Sequence, residues 1–179
     1  MGSGEGTVCD LGFRTVLTPE QRSRFQNPDV IRRIIAHPGV AAVVGLSADP
    51  QKASHFVAAY LQKRGWKIVP VTPKKGLILG EESVSSLADI AIPVDVVDVF
   101  RPASDMPALA RQAVAIRAKT FWMQLKLANV EAAKIAEAEG LFVVADKCMK
   151  MEYGRYNGGL HSAGMDTGVI SARRTRLTE

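Results

Sequence analysis

The sequence predicts an α/β protein, a doubly wound parallel sheet of about five strands with helices on both faces. Three observations carry that prediction. Five short apolar runs rich in valine, isoleucine and aromatic residues recur at Val40–Val44, Lys67–Val71, Val94–Phe100, Thr120–Met123 and Leu141–Ala145. Helical stretches separate most of them. The runs are nearly continuous rather than alternating, as strands covered on both faces must be.

The elements follow in order. Asn27 suits a helix cap and Pro28 the first helical position, and Val30, Ile31, Ile34 and Ile35 share one apolar face. His37-Pro38-Gly39 stops that helix before the first strand. Ser54 to Arg64 places Val57, Tyr60 and Leu61 on one face. After the second strand, Thr72-Pro73-Lys74-Lys75-Gly76 reads as a turn and Leu77-Ile78-Leu79 as a small extra strand or loop. Glu81 to Ala88 is expected to form one or two helical turns. Ser104 to Arg117 sets Met106, Leu109, Ala110, Ala113 and Val114 at helical spacing, and Asn129 to Glu139 ends at the helix-stopping Gly140. There is no internal repeat.

A chain of 179 residues is one domain's length, and 47% hydrophobic with 23% charged residues excludes general disorder. We divide it into an irregular leader (1–17), a Rossmann-like domain (18–153) and a Gly-rich basic tail (154–179) expected to be flexible. No apolar run approaches the roughly 18 residues of a membrane span, and no basic segment precedes an apolar stretch at the N-terminus. Two cysteines, Cys9 and Cys148, exclude a disulfide framework. The expected compartment is therefore the cytoplasm. Of the net charge of +5, the six basic and three acidic residues from Lys147 to Glu179 supply +3. No basic stripe with interleaved aromatics accompanies them, so neither a nucleic-acid nor a membrane partner is expected.

Ligands of an open parallel sheet bind beyond the carboxyl ends of the strands. The first such loop opens with Gly45-Leu46-Ser47 and continues through Lys52 to Ser54. Glycine permits close backbone approach, Ser54 is placed to cap the next helix, and Lys52 adds a cation near a phosphate-binding helix start. This is not G-x-G-x-x-G, so the dinucleotide fingerprint fails. After the second strand, Val71-Thr72-Pro73-Lys74-Lys75 lacks the carboxylate that grips a ribose diol and offers two ammonium groups instead. That exchange favours a phosphorylated ribose, as in CoA or NADP.

These residues resemble the CoA-binding domain family, small stand-alone Rossmann proteins related to the nucleotide-binding domain of succinyl-CoA ligase alpha subunits. The resemblance spans Asn27 to Glu152. It rests on Val43-Val44-Gly45-Leu46-Ser47, Ser54, Pro70-Val71-Thr72-Pro73, Gly80, Asp95-Val96-Val97-Asp98-Val99-Phe100-Arg101, Trp122-Met123-Gln124, Asn129 and Asp146-Lys147-Cys148. It implies CoA across the strand ends, with pyrophosphate near Gly45 to Ser54 and adenosine at the second-strand loop. It further implies that Phe100-Arg101 and Met123-Gln124 line the pantetheine side. Thr72 stands where the family usually has asparagine, Lys52 and Lys147 replace arginines, and Ala53 and Lys126 replace proline and glycine.

Other candidates have plainer readings. Asp95 and Asp98, three apart, fall on opposite faces of a strand and are expected to make structural hydrogen bonds. Arg101 meets either a ligand or a neighbouring helix. Cys148 reads as a small buried residue, although it lies at the ligand side of the sheet. His37, His55 and His161 show no metal-ligand pattern. The expected function is a CoA or acyl-CoA binding protein without catalysis of its own. An NADP-dependent oxidoreductase, a CoA-ligase component acting with a missing partner chain, and a regulatory interaction protein are the alternatives. A homodimer or another protein partner stays open.

Overall fold

A computed structural model describes residues 17–157. In chain order it contains α1 (Pro19–Phe25), α2 (Pro28–Ile35), β1 (Val40–Val44), α3 (Ala53–Lys63), β2 (Lys67–Val71), β3 (Leu77–Ile78) and β4 (Glu81–Glu82). There follow β5 (Val96–Val99), α4 (Met106–Ala115), β6 (Thr120–Met123), α5 (Val130–Ala138), β7 (Phe142–Val144) and α6 (Met149–Asn157). The five long strands form one parallel sheet in the order β2-β1-β5-β6-β7, the doubly wound arrangement that the apolar runs predict. The expected leader lies outside the described residues except for Leu17, as does the expected tail beyond Asn157.

The sheet divides the interior into two cores. Ala42, Val44, Val97, Val99 and Phe121 face α4 and α5, where Ala110, Ala113, Ala132, Ala133 and Ala136 let the helices pack closely. Ala41, Val43, Val96, Trp122 and Val144 face α2, α3 and α6 and bury Ile31, Ile35, Val57 and Leu61. Pro70 is tolerated because β2 is the edge strand, where a missing N–H breaks no inner ladder. Its carbonyl still accepts from Val84 N–H at 2.9 Å.

Three regions depart from the expectation. Glu81 and Glu82 are not helical. They pair antiparallel with β3 across Leu79 and Gly80, both at positive φ, which is a two-residue hairpin turn. Between Glu81 and Asp89 the helical part is the single 3-10 turn Leu87–Asp89, capped by Ser86 and Asp89. At the start of the described chain, Thr18 and Gln21 form a reciprocal capping box for α1, and Phe25 is buried beside Leu17. Finally, α6 runs through Gly154, across the expected boundary between Tyr153 and Gly154.

Candidate functional site

Strand order reverses around β1, which has β2 on one side and β5 on the other. A crevice is therefore expected beyond their carboxyl ends. It is there, a cleft of about 1130 Å³. That exceeds the usual 300–1,000 Å³ or so of a small-molecule pocket and suits an extended ligand.

The floor is the loop after β1. Gly45 has φ 85°, and a Cβ there would lie 3.2 Å from both the Phe100 carbonyl oxygen and Arg101 Cδ. The left-handed φ strains any residue with a side chain, and an added Cβ would press on both neighbours. The loop is then fixed by its own polar atoms. Ser47 N–H donates to Ser54 Oγ at 3.1 Å, Asp49 N–H to Ser47 Oγ at 3.1 Å, and Gln51 N–H to Asp49 Oδ1 at 2.9 Å. Ser54 is thus not the helix cap that its type suggests. The helix begins one residue earlier, at Ala53, and the serine side chain is turned back to Ser47.

The N-cap position of α3 is Lys52, and no side chain caps that end. The same holds for α4, whose first turn borders the cleft at Ala108 and Leu109. By contrast, α5 is capped by Asn129, whose Oδ1 accepts from Ala132 N–H at 2.8 Å. The two starts are not equivalent, because α4 continues a 3-10 turn at Ala103–Asp105 in which Met106 N–H donates to the Ala103 carbonyl, and Pro107 has no N–H.

One wall is the turn after β2, with Thr72, Pro73, Lys74 and Lys75, held by Ser83 Oγ donating to the Lys74 carbonyl at 3.0 Å. The hairpin adds Leu77 and Ile78. Across the cleft, Arg101 binds Asp105 through Nε at 3.0 Å and Nη2 at 2.8 Å. Asp49 also lines the space.

Of the thirteen residues expected at the site, the cleft collects Gly45, Leu46, Ser47, Thr72, Pro73, Lys74, Lys75 and Arg101. Lys52 and Ser54 start the adjoining helix without lining it. Phe100, Met123 and Gln124 do not line it either. Met123 is fully buried toward α4 and α5, Gln124 is buried against Asp98, and Phe100 packs partly buried on the α3 and α6 side. The cleft instead extends along Ser85, Ser86, Ser104, Leu109 and Gln112. In the sequence, Leu109 shares its helical spacing with core residues, so nothing separated it from them. Lys126, where the resemblance favours glycine, adopts φ 66°, and its N–H donates to Asp146 Oδ1 at 2.6 Å. The loop keeps a glycine-like conformation through that bond.

The two strand carboxylates do separate structural work. Asp95 Oδ2 accepts from Val40 N–H at 2.8 Å and pairs with Lys119 at 2.7 Å. Burial opposes its charge, but the ammonium and the N–H outweigh it and hold the carboxyl below its ordinary value. Asp98 is fully buried, which pushes its carboxyl up to about 7 against a Gln124 hydrogen bond of 2.7 Å that favours the charged form. Cys148 is buried as expected, and burial pushes its thiol up. Among the described residues no cluster of His, Cys, Asp or Glu could hold a metal ion, and no helix is long and apolar enough to cross a membrane.

Comparison with known proteins agrees with this geometry. A family model described as a CoA binding domain matches residues 40–154. The uncharacterized protein YneT of Bacillus subtilis (strain 168) is 38% identical over 131 residues, covering 72% of this chain and 97% of that protein. A hypothetical protein from Pyrococcus horikoshii OT3 superimposes with a TM-score of 0.71 at 33% identity, covering 81% of this chain and 97% of its own. The cell-free ID.343 protein from Thermus thermophilus gives 0.69 at 34% identity, covering 72% and 98%.

Proposed function

The chain belongs to the CoA-binding domain family, and we propose that its cleft holds coenzyme A or an acyl-CoA without catalysing a reaction on it. One observation supports this reading above the others. The start of α3, which no side chain caps, adjoins a long cleft whose cations are Lys74, Lys75 and Arg101. Free N–H groups and the positive end of a helix dipole attract phosphate, and an uncapped end leaves them for the ligand. The pyrophosphate lies near the start of this loop, over Gly45, where no Cβ intervenes. The adenosine 3′-phosphate lies at Lys74 and Lys75, beyond a β2 end that carries no carboxylate.

Calorimetry with CoA, dephospho-CoA and NAD tests the assignment. CoA binds most tightly and NAD weakly or not at all. A charge-assisted contact to phosphate is worth about 1.5–3 kcal/mol before exposure reduces it. Replacing Lys74 and Lys75 together by alanine therefore weakens CoA and leaves dephospho-CoA nearly unchanged. Equal losses for both ligands would reduce the lysines to long-range attraction. No loss for either would make them solvated turn residues.

A further inference from the structure

In the loop after β1, little of the backbone is free to bind an anion. Gly45 N–H donates to the Val71 carbonyl at 2.9 Å and Lys52 N–H to the Asp49 carbonyl at 3.1 Å. The N–H groups of Ser47, Asp49 and Gln51 go to the side chains of Ser54, Ser47 and Asp49. A diphosphate over Gly45 therefore depends on a side-chain cation as well as on the start of α3. Lys74 and Lys75 lie on the other wall, beyond the end of β2. Arg101 stands beside the glycine itself. Phe100 N–H donates to the Val44 carbonyl at 2.9 Å, which sets the ends of β5 and β1 side by side. Arg101 Cδ then lies 3.2 Å from the point that a Gly45 Cβ would occupy.

The guanidinium is held from one side. Asp105 Oδ2 accepts from Arg101 Nε at 3.0 Å and lies 2.8 Å from Nη2, while Asp105 Oδ1 accepts from Ser104 Oγ at 3.3 Å. A guanidinium carries one N–H on Nε and a pair on each terminal nitrogen, so both N–H groups of Nη1 remain for a ligand. Folding gains little from this pair. Its side chains are 49% and 37% exposed, and exposed ion pairs add little to stability. Nor does the aspartate serve its own helix. It holds the N-cap position of α4, where a capping residue normally has extended backbone. Here the backbone is helical, at φ −82° and ψ −18°, and the carboxylate makes no capping bond. It is turned to Arg101 instead.

We propose that Asp105 is a positioning residue, which holds Arg101 beside Gly45 so that its Nη1 edge meets the diphosphate of the bound ligand. This rests on the CoA reading of the cleft. It adds the cation that neutralises the diphosphate and leaves Lys74 and Lys75 to the 3′-phosphate. A planar guanidinium offers phosphate oxygens paired donors at fixed spacing, which a lysine cannot do. Holding it in place beforehand removes side-chain freedom that binding would otherwise have to freeze out. The carboxylate also has an opposing effect, because it repels a polyanion at close range. A carboxylate that merely lines the cleft therefore weakens binding, whereas one that positions Arg101 strengthens it. The two roles differ in sign.

The test is a double-mutant cycle on the full-length protein, read by calorimetry with CoA and with dephospho-CoA. Arg101→Met keeps an apolar stem beside Gly45 and removes the charge. It is expected to weaken both ligands alike, by about tenfold or more, since both carry the diphosphate. Asp105→Ala is expected to weaken both by about threefold to tenfold while Arg101 is present. In the Arg101→Met background the same change removes only a repelling carboxylate, and affinity holds or rises. Both positions are partly exposed, and melting temperatures near the native value check that the variants fold. A loss confined to CoA in Arg101→Met, or no loss, would overturn the proposal. Tighter or unchanged binding in Asp105→Ala would overturn it too, as would an equal loss with and without Arg101. If the native protein binds neither ligand, the CoA reading itself fails and the proposal falls with it.

Discussion

The carboxyl ends of β1 and β6 lie on the same edge of the same sheet, yet the chain leaves them in opposite ways. After β6, the loop closes on itself and on its neighbours. Leu127 N–H donates to the Gln124 carbonyl, Lys126 N–H to Asp146 Oδ1, and Trp122 Nε1 to the Lys147 carbonyl at 2.7 Å. Asn129 caps α5 and donates to the Ala103 carbonyl at 2.8 Å. After β1, the loop is equally ordered, but its side-chain bonds reach no farther than the first turn of α3, and no side chain caps that helix. One end is completed by the protein. We propose that a ligand completes the other.

The most severe way to break this contrast is Gly45→Val. A side chain at φ 85°, with Cβ 3.2 Å from the Phe100 carbonyl oxygen, strains the backbone by about 1–2 kcal/mol and fills the phosphate position. CoA affinity is expected to fall more than tenfold by calorimetry, with a melting loss too small to account for it. Retained affinity would move the pyrophosphate elsewhere.

The closed end has its own signature in pH. Asp98 holds a proton up to about pH 7 when folded but releases it near 3.8 when unfolded. Its contribution to stability is therefore present in full below about pH 4 and lost as pH rises through 7. At about 1.36 kcal/mol per pH unit, this one group removes about 2–3 kcal/mol between pH 5 and pH 8. Asp98→Asn is expected to flatten that part of the profile in denaturant titrations at the two pH values. An unchanged slope would place the carboxylate's titration elsewhere.

Much of this was legible beforehand. Strands buried on both faces leave near-continuous apolar runs, and β1, β2 and β6 match those runs end to end. That Gly45, Lys74 and Lys75 line the cleft was readable because they follow the carboxyl ends of strands, where the crevice of such a sheet lies. Less was visible where tertiary contacts decide. Ser54 looks like a cap by type, yet a helix start shifted by one residue gives its hydroxyl to Ser47. The hairpin turn places Leu79 at φ 57°, a conformation leucine seldom adopts, with Gln62 Nε2 bonded to its carbonyl at 3.0 Å. In α6, Gly154 sits mid-helix, where local propensity argues against helix. The helix is held by packing, with Tyr60 and Tyr153 edge to face at 6.2 Å. The capping box at Thr18 and Gln21 was present in the sequence and announces α1.

A gentler pair of substitutions sharpens the contrast between the two ends. Asn129→Ala removes the α5 cap and is expected to cost about 1 kcal/mol of stability with CoA affinity unchanged. Lys52→Asp supplies α3 with the cap it lacks. It is expected to raise stability by about 0.5–1 kcal/mol while weakening CoA, because a carboxylate then occupies the anion's place. If Lys52→Asp leaves CoA binding intact, the uncapped end is not where phosphate sits.

The most direct measurement is the melting temperature in the presence of CoA and, separately, of NAD, each at the same concentration. At a hundredfold excess over its dissociation constant, a ligand specific to the folded state adds about 2.7 kcal/mol. For a domain of this size that is a rise of roughly 5–11 °C. A rise of that order with CoA and none with NAD is the predicted result. Equal shifts with both, or none with CoA, would contradict the reading of the open end as a CoA site.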